Sequence, residues 1–144
     1  MLKYPLIHPP LLAALAAAGH GSRILIADGH FPCSTHANPA AAIIYLNLRP
    51  GLLTGDQVLE TLLDAAAVEH AVVMASDGPA VPAHEGYRAA LGDEVPFEAV
   101  ERFAFYDLAR TTDTAVVIAT GDQRQYANLL LTIGVVGVTP RKAS

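Results

Sequence analysis

Residues 23–36, RILIADGHFPCSTH, change character at Asp28. Up to Ala27 the run is aliphatic and partly β-branched, and it follows the turn residues Gly21 and Ser22, so it predicts a short buried strand. Behind it stand an aspartate, two histidines and a cysteine, the kind of polar loop that follows a strand in α/β proteins. The rest of the chain repeats the alternation. AIIYLNL (42–48) predicts a second strand, AVVMAS (71–76) a third and TAVVIATG (114–121) the strongest. Between them, Pro9 and Pro10 open a short helix that Gly19 stops. GDQVLETLLDAAAVEH (55–70) carries Val58, Leu59, Leu62, Leu63 and Ala66 at helical spacing. HEGYRAALG (84–92) reads as a weaker helix, and AVERFAFYDLARTT (99–112) as a strand near Val100 passing into a helix. Over 123–133 the pattern predicts a helix opened by Asp122 and closed by Gly134, with the last valines adding an edge strand. Together these elements predict an α/β fold, one compact domain with a mostly parallel sheet flanked by helices. The domain is expected over residues 1–140, with 141–144 as a short C-terminal tail.

Composition limits the partners. At 144 residues the chain suits one core, and its 52% hydrophobic content against 16% charged is richer than a small monomer needs. Surplus apolar surface predicts subunit contacts. No apolar run approaches the ~20 residues of a membrane span, and the N-terminal stretch reads as a short helix, not a signal peptide. Cys33 is the one cysteine, so no internal disulfide forms and a cytoplasmic location is expected. A net charge of −5 with nine scattered basic residues leaves no basic face for nucleic acid.

Ligands of α/β sheets usually sit beyond the carboxyl ends of the strands. Asp28 and His30, Ser76-Asp77-Gly78, and TGDQRQYAN (120–128) all fall there. Each also has an ordinary reading: Asp28 as an Asx-turn residue, Asp77 and Gly78 as a turn, and His20 as a charge at a helix C-terminus. Asp28, His30, Cys33 and His36 are zinc-ligand types, but their spacing matches no established pattern and Pro32 stiffens the loop. TGDQRQYAN has one glycine and no Lys-Ser/Thr pair, which argues against a phosphate loop. A nucleophilic Cys33 would need a base and an electropositive setting, neither of which a sequence shows, and the residue reads as a half-buried loop cysteine. Arg102 and Tyr106 read as surface residues of an amphipathic segment, and His84 and Tyr87 as solvated helix positions.

Four motifs together are more specific: PLIHPPLLAALAAAGHG (5–21), ADGHFP (27–32), RFAFYDLA (102–109) and TGDQRQYANLLLTIGV (120–135). In this order and spacing the chain resembles the family of L-fucose mutarotases and D-ribose pyranases over nearly its whole length. DGHFP and RFAFY look like the fucose branch. Tyr126-Ala127-Asn128 in place of Tyr-Gly-Asn is a variation of the ribose side, and Ser22 stands where many members carry an acidic residue. The resemblance implies a catalytic proton donor at His20 and a sugar-binding aspartate at Asp28. It also implies sugar contacts at Arg102, Tyr126, Ala127 (through its main chain) and Asn128. A ring-shaped homo-oligomer, a decamer with active sites between subunits, is implied too, with no metal and no organic cofactor.

The chemistry suits those residue types. Exchanging anomers means opening a hemiacetal, which takes one proton from the anomeric hydroxyl and gives one to the ring oxygen. A histidine and an aspartate can share that work, and Asp28 is expected near His20. Arg102 and Asn128 can pair with sugar hydroxyls while the Tyr126 ring stacks on the sugar's apolar face. Two other classes compete: a sugar-binding module without turnover, and a zinc protein built on Asp28, His30, Cys33 and His36.

Overall fold

Six strands and four helices alternate in the computed structural model, which describes residues 1–138. The expected domain end at 140 and the tail 141–144 lie outside the described residues. Helix α1 (Pro9–Ala17) starts where two prolines supply the fixed φ of a first turn, and His8 accepts the Leu11 N–H at 3.3 Å. Strand β1 (Arg23–Ala27) follows, then β2 (Ala42–Tyr45). Helix α2 (Gly55–Leu63) is opened by a reciprocal cap between Thr54 and Gln57. It ends earlier than its periodicity suggests, because Val68 already belongs to β3 (Val68–Met74). Helix α3 (Pro82–Leu91) and β4 (Phe97–Val100) come next. Helix α4 (Arg102–Arg110) is capped by the Glu101 carboxylate, which accepts the N–H groups of Phe103 and Ala104. Strand β5 is Thr114–Ala119.

The expected helix over 123–133 does not form. Residues 122–128 are an irregular turn, and Leu129–Ile133 make β6, a strand in the middle of the sheet. Leu129, Leu130 and Leu131 are all buried because β6 is covered on both faces, and a continuous apolar run of this kind carries no period that separates strand from helix. Asp122, expected as the cap of that helix, binds elsewhere. The valines expected as an edge strand are not one: Val135, Val136 and Val138 are exposed and irregular.

The sheet order is β2-β5-β1-β6-β3-β4. β1, β2 and β5 run parallel, as do β3 and β4, and β6 lies antiparallel between β1 and β3. Five strands therefore point the same way, and their carboxyl ends meet the start of β6. Alternate residues feed two cores. Ile24, Ile26, Leu129 and Leu131 pack with Leu59, Leu62 and Tyr87 under α1, α2 and α3. Leu25, Ala27, Val117 and Leu130 pack with Phe31, Phe105 and Ala109 under α4 and the loop after β1.

Because β6 joins the two parallel halves, thinning it should be felt throughout. Leu131→Ala is expected to lower unfolding free energy by about 2–5 kcal/mol, read as a lower urea midpoint with an unchanged slope at fixed protein concentration.

Candidate functional site

A cleft of about 340 Å³ opens at the carboxyl end of the sheet, between the loop after β1, the first turn of α4 and the 122–128 turn. Asp28, Arg102, Tyr126 and Asn128 line it, with Phe31 and Tyr106 among its walls. Four of the residues singled out in the sequence thus meet in one place.

Asp28 is 4% exposed and tied on both sides. Its backbone N–H donates to the Asn128 side-chain oxygen at 2.8 Å, and its Oδ1 accepts the N–H groups of His30 and Phe31, each at 2.9 Å. Those two bonds are the Asx turn expected of it, here placed at the bottom of a cleft. Burial pushes the carboxyl above its ordinary value, and the N–H groups of His30, Phe31 and Ala127 together with the His30 ring oppose that push without cancelling it. Gly29 beside it packs closely: its N–H donates to the Asp122 carbonyl at 2.7 Å, and a Cβ there would sit tight against that oxygen.

Arg102 and Tyr106, read from sequence as surface residues, form one rim. Arg102 is exposed, with its guanidinium 5.5 Å from the Tyr106 ring centre. Tyr106 packs edge-on against Phe31 at 5.5 Å, which ties the rim to the core under α4. Tyr106 escaped the sequence reading because its neighbours on α4 give no sign of which face meets the cleft.

The opposite wall is the turn Tyr126-Ala127-Asn128. Tyr126 has φ 60°, a left-handed conformation unusual for a bulky residue. Tyr87 is not the solvated helix position its sequence context suggests, and His84 is half-buried. Tyr87 is fully buried and donates its hydroxyl proton to the Ala127 carbonyl at 2.7 Å, and His84 Nε2 lies 2.8 Å from the Tyr126 carbonyl. Upstream, Asp122 is 2% exposed. It accepts the Gly55 N–H at 2.8 Å and two side-chain bonds from Arg124, which reaches Asp56 at 2.6 Å. Burial raises the Asp122 carboxyl, but the Arg124 guanidinium and the Gly55 and Arg124 N–H groups outweigh it and hold the group below its ordinary value.

The zinc donors do not converge. His30 Nε2 is 3.1 Å from the Gln123 carbonyl, and the His36 ring lies against Tyr106 with Nδ1 2.9 Å from the Thr35 hydroxyl. Burial pushes the Cys33 thiol up to about 11, far from a reactive thiolate. Among the described residues no three His, Cys, Asp or Glu side chains are grouped to hold a metal.

His20, expected as the proton donor, does not line this cleft. It precedes β1 while Asp28 follows it, so one chain separates them by roughly 15–20 Å of strand. The expectation that Asp28 lies near His20 is not met within a chain. The carboxylate beside His20 is instead Glu69 of β3, both of whose oxygens lie 3.0 Å from Nε2. His20 lines a second groove with Leu12, Leu15, Ala66, Ile133 and Val136.

Asp28 and Asp122 predict opposite pH signatures. Asp122 is held below the ~3.9 of an unfolded aspartate, so its stabilisation is complete above that pH and is lost as pH falls through its lower folded value. Asp28 is held above ~3.9, so the native state binds the extra proton and stability falls as pH rises from ~3.9 through the raised value. In urea unfolding from pH 3 to 7, Asp122→Asn should lose ground against wild type as pH rises, and Asp28→Asn should gain it. The same slope for both variants would contradict this assignment.

Comparison with known proteins places the chain. Residues 1–136 match the RbsD / FucU transport protein family. The chain is similar to an L-fucose mutarotase of Actinobacillus pleuropneumoniae serotype 5b (strain L20), 38% identical over 96% of this chain and 99% of that protein. Its fold matches FucU from Bifidobacterium longum with a TM-score of 0.79 at 32% identity, covering 91% of this chain and 96% of that one. It also matches Bacillus subtilis RbsD, solved in complex with D-ribose, with a TM-score of 0.81 at 28% identity over 95% and 100%. By sequence along nearly its whole length and by the arrangement of its six strands and four helices, the chain belongs to the RbsD / FucU family.

Proposed function

We propose that this protein is an isomerase, a mutarotase that interconverts the α and β anomers of a monosaccharide, with L-fucose as the first candidate. The observation that carries this reading is that one cleft of about 340 Å³ gathers Asp28, Arg102, Tyr126 and Asn128, a carboxylate, a cation, an aromatic ring and an amide, the group types that bind a sugar. The name of the mutarotase relative at 38% identity points to L-fucose, and the ribose held by the RbsD relative keeps D-ribose, in pyranose and furanose forms, as the alternative.

In this reading Asp28 takes the proton of the anomeric hydroxyl and binds the sugar. A carboxyl raised by burial is the better base, because its proton affinity lies nearer that of the group it serves. His20 donates a proton to the ring oxygen, the C1–O bond opens, rotation about C1–C2 presents the other aldehyde face, and closure reverses both transfers. Arg102 and Asn128 hold hydroxyls, Tyr126 stacks, and the Ala127 main chain completes the contact. No metal or organic cofactor enters the scheme.

His20 reaches the cleft from a neighbouring subunit. Its side chain is 57% exposed beside an apolar groove, and Leu2, Tyr4, Ile7, Val135 and Val136 are further large apolar residues left open to solvent. Such surface supports assembly of many copies, here a ring-shaped decamer with sites between subunits. The cytoplasm is the proposed location; no described helix is long and apolar enough to cross a membrane. The absence of His20 from the cleft of a single chain gives a second reading, a sugar-binding module without turnover, its own support.

Magnetisation-exchange NMR on the anomeric protons of L-fucose, D-ribose and D-galactose separates the two. Wild type is expected to accelerate exchange of one of them, and His20→Ala to lose about 10²–10⁴-fold of the acceleration while sugar still binds. Binding with no acceleration in wild type would favour the module and remove the catalytic role.

A further inference from the structure

We infer that His84 on α3 is a positioning residue for the sugar-contacting turn, acting by the hydrogen bond its Nε2–H donates to the Tyr126 carbonyl. The inference rests on the proposed function, since the turn is taken to touch the sugar.

A carbonyl oxygen only accepts, so the 2.8 Å approach of Nε2 to the Tyr126 oxygen assigns the proton to Nε2. Burial disfavours the protonated ring, with the nearby Arg88 acting in the same direction and the bonded carbonyl against it. A neutral Nε2–H tautomer satisfies both conditions. Tyr126 needs such a fixed partner more than most residues, because φ 60° is a conformation a tyrosine rarely adopts unaided. Its ring and the Asn128 amide are presented to the cleft only while that backbone stays in place.

Three residues along α3, Tyr87 repeats the device on the next peptide. Residues three apart share a helix face, so His84 and Tyr87 address consecutive carbonyls, Tyr126 and Ala127, from one side. Asn128 then closes the turn from the other side through the Asp28 N–H. The helix bearing both donors is itself fixed. Gly86 lets the Asp56 carboxylate approach where a Cβ would collide, and Asp56 holds Arg124, which holds Asp122. Gly55 leaves room for the Tyr87 hydroxyl in the same way. Helices α2 and α3 thus grip the 122–128 turn at both ends, and His84 is the contact nearest the aromatic ring that meets the sugar.

The test compares wild type, His84→Leu and His84→Gln, whose amide nitrogen can occupy the place of Nε2 and donate the same bond. L-fucose, D-ribose and D-galactose are titrated by calorimetry, and anomer exchange is followed across sugar concentration, with thermal melts to establish that each variant is folded. His84→Leu should raise the dissociation constant and the half-saturating concentration about three- to tenfold, with a much smaller change in the saturated rate, and His84→Gln should return to within about twofold of wild type. Wild-type behaviour in a folded His84→Leu overturns the inference alone, as does a His84→Gln that fails to recover, since ring volume and not the donated bond would then matter. If wild type binds sugar but exchanges none, the dissociation constants decide His84 while the mutarotase reading falls. A wild type that binds none of the three sugars overturns both.

Discussion

The hydrogen bond from the Asp28 N–H to the Asn128 side chain joins two points a hundred residues apart, and the cleft depends on it. It is available because β6 enters the sheet antiparallel. Ile26 pairs with Leu129, and Val73 on the other side pairs with the same residue, so the start of β6 lies level with the ends of β1 and β3. A fully parallel sheet would have placed that residue at the far end. With the reversal, a polar turn that must precede β6 is delivered to the edge where the loops after β1 and before α4 converge, and the site needs no insertion to build it.

The same geometry gives the cleft its polarity. Asp28, Asp122 and Asn128 are buried polar groups, and each is satisfied by directed bonds; among the described residues no buried side-chain nitrogen or oxygen is left without a partner. A cleft already satisfied in this way is rigid and suited to positioning. The histidine proposed as proton donor lies elsewhere within one chain, beside Glu69 near the amino end of β1 on a surface rich in exposed apolar groups. In the proposed assembly the separation of His20 from Asp28 and the surplus apolar surface have one remedy, contact between copies.

Much of this was legible in the sequence, and the failures share a cause. RILIA and TAVVIA were readable as strands because β-branched runs bounded by turn residues rarely do anything else, and Pro9-Pro10 marked a helix start. Asp28, Arg102, Tyr126 and Asn128 lie in three of the four motifs that carry the family resemblance, and they do converge. LLLTI (129–133) reads as helix because burial on both faces erases the period and Leu is a strong helix former, yet it forms β6. His84 and Tyr87 leave no mark in the sequence for a related reason: their partners are backbone carbonyls some forty residues away, and no local pattern marks a side chain that serves a distant peptide. The position of His20 could not be read locally either, since the separation of the two ends of β1 becomes a problem only once the strand is known to be straight.

The most direct test mixes two inactive proteins. His20→Ala keeps an intact Asp28 cleft and Asp28→Asn keeps an intact His20, so co-assembly of equal amounts creates sites with His20 from one subunit and Asp28 from its neighbour. If the site lies between subunits, anomer exchange should return to about a quarter of the wild-type rate for random mixing in a ring. If native mass spectrometry shows mixed assemblies and their activity stays at the level of the parent variants, the divided site is wrong.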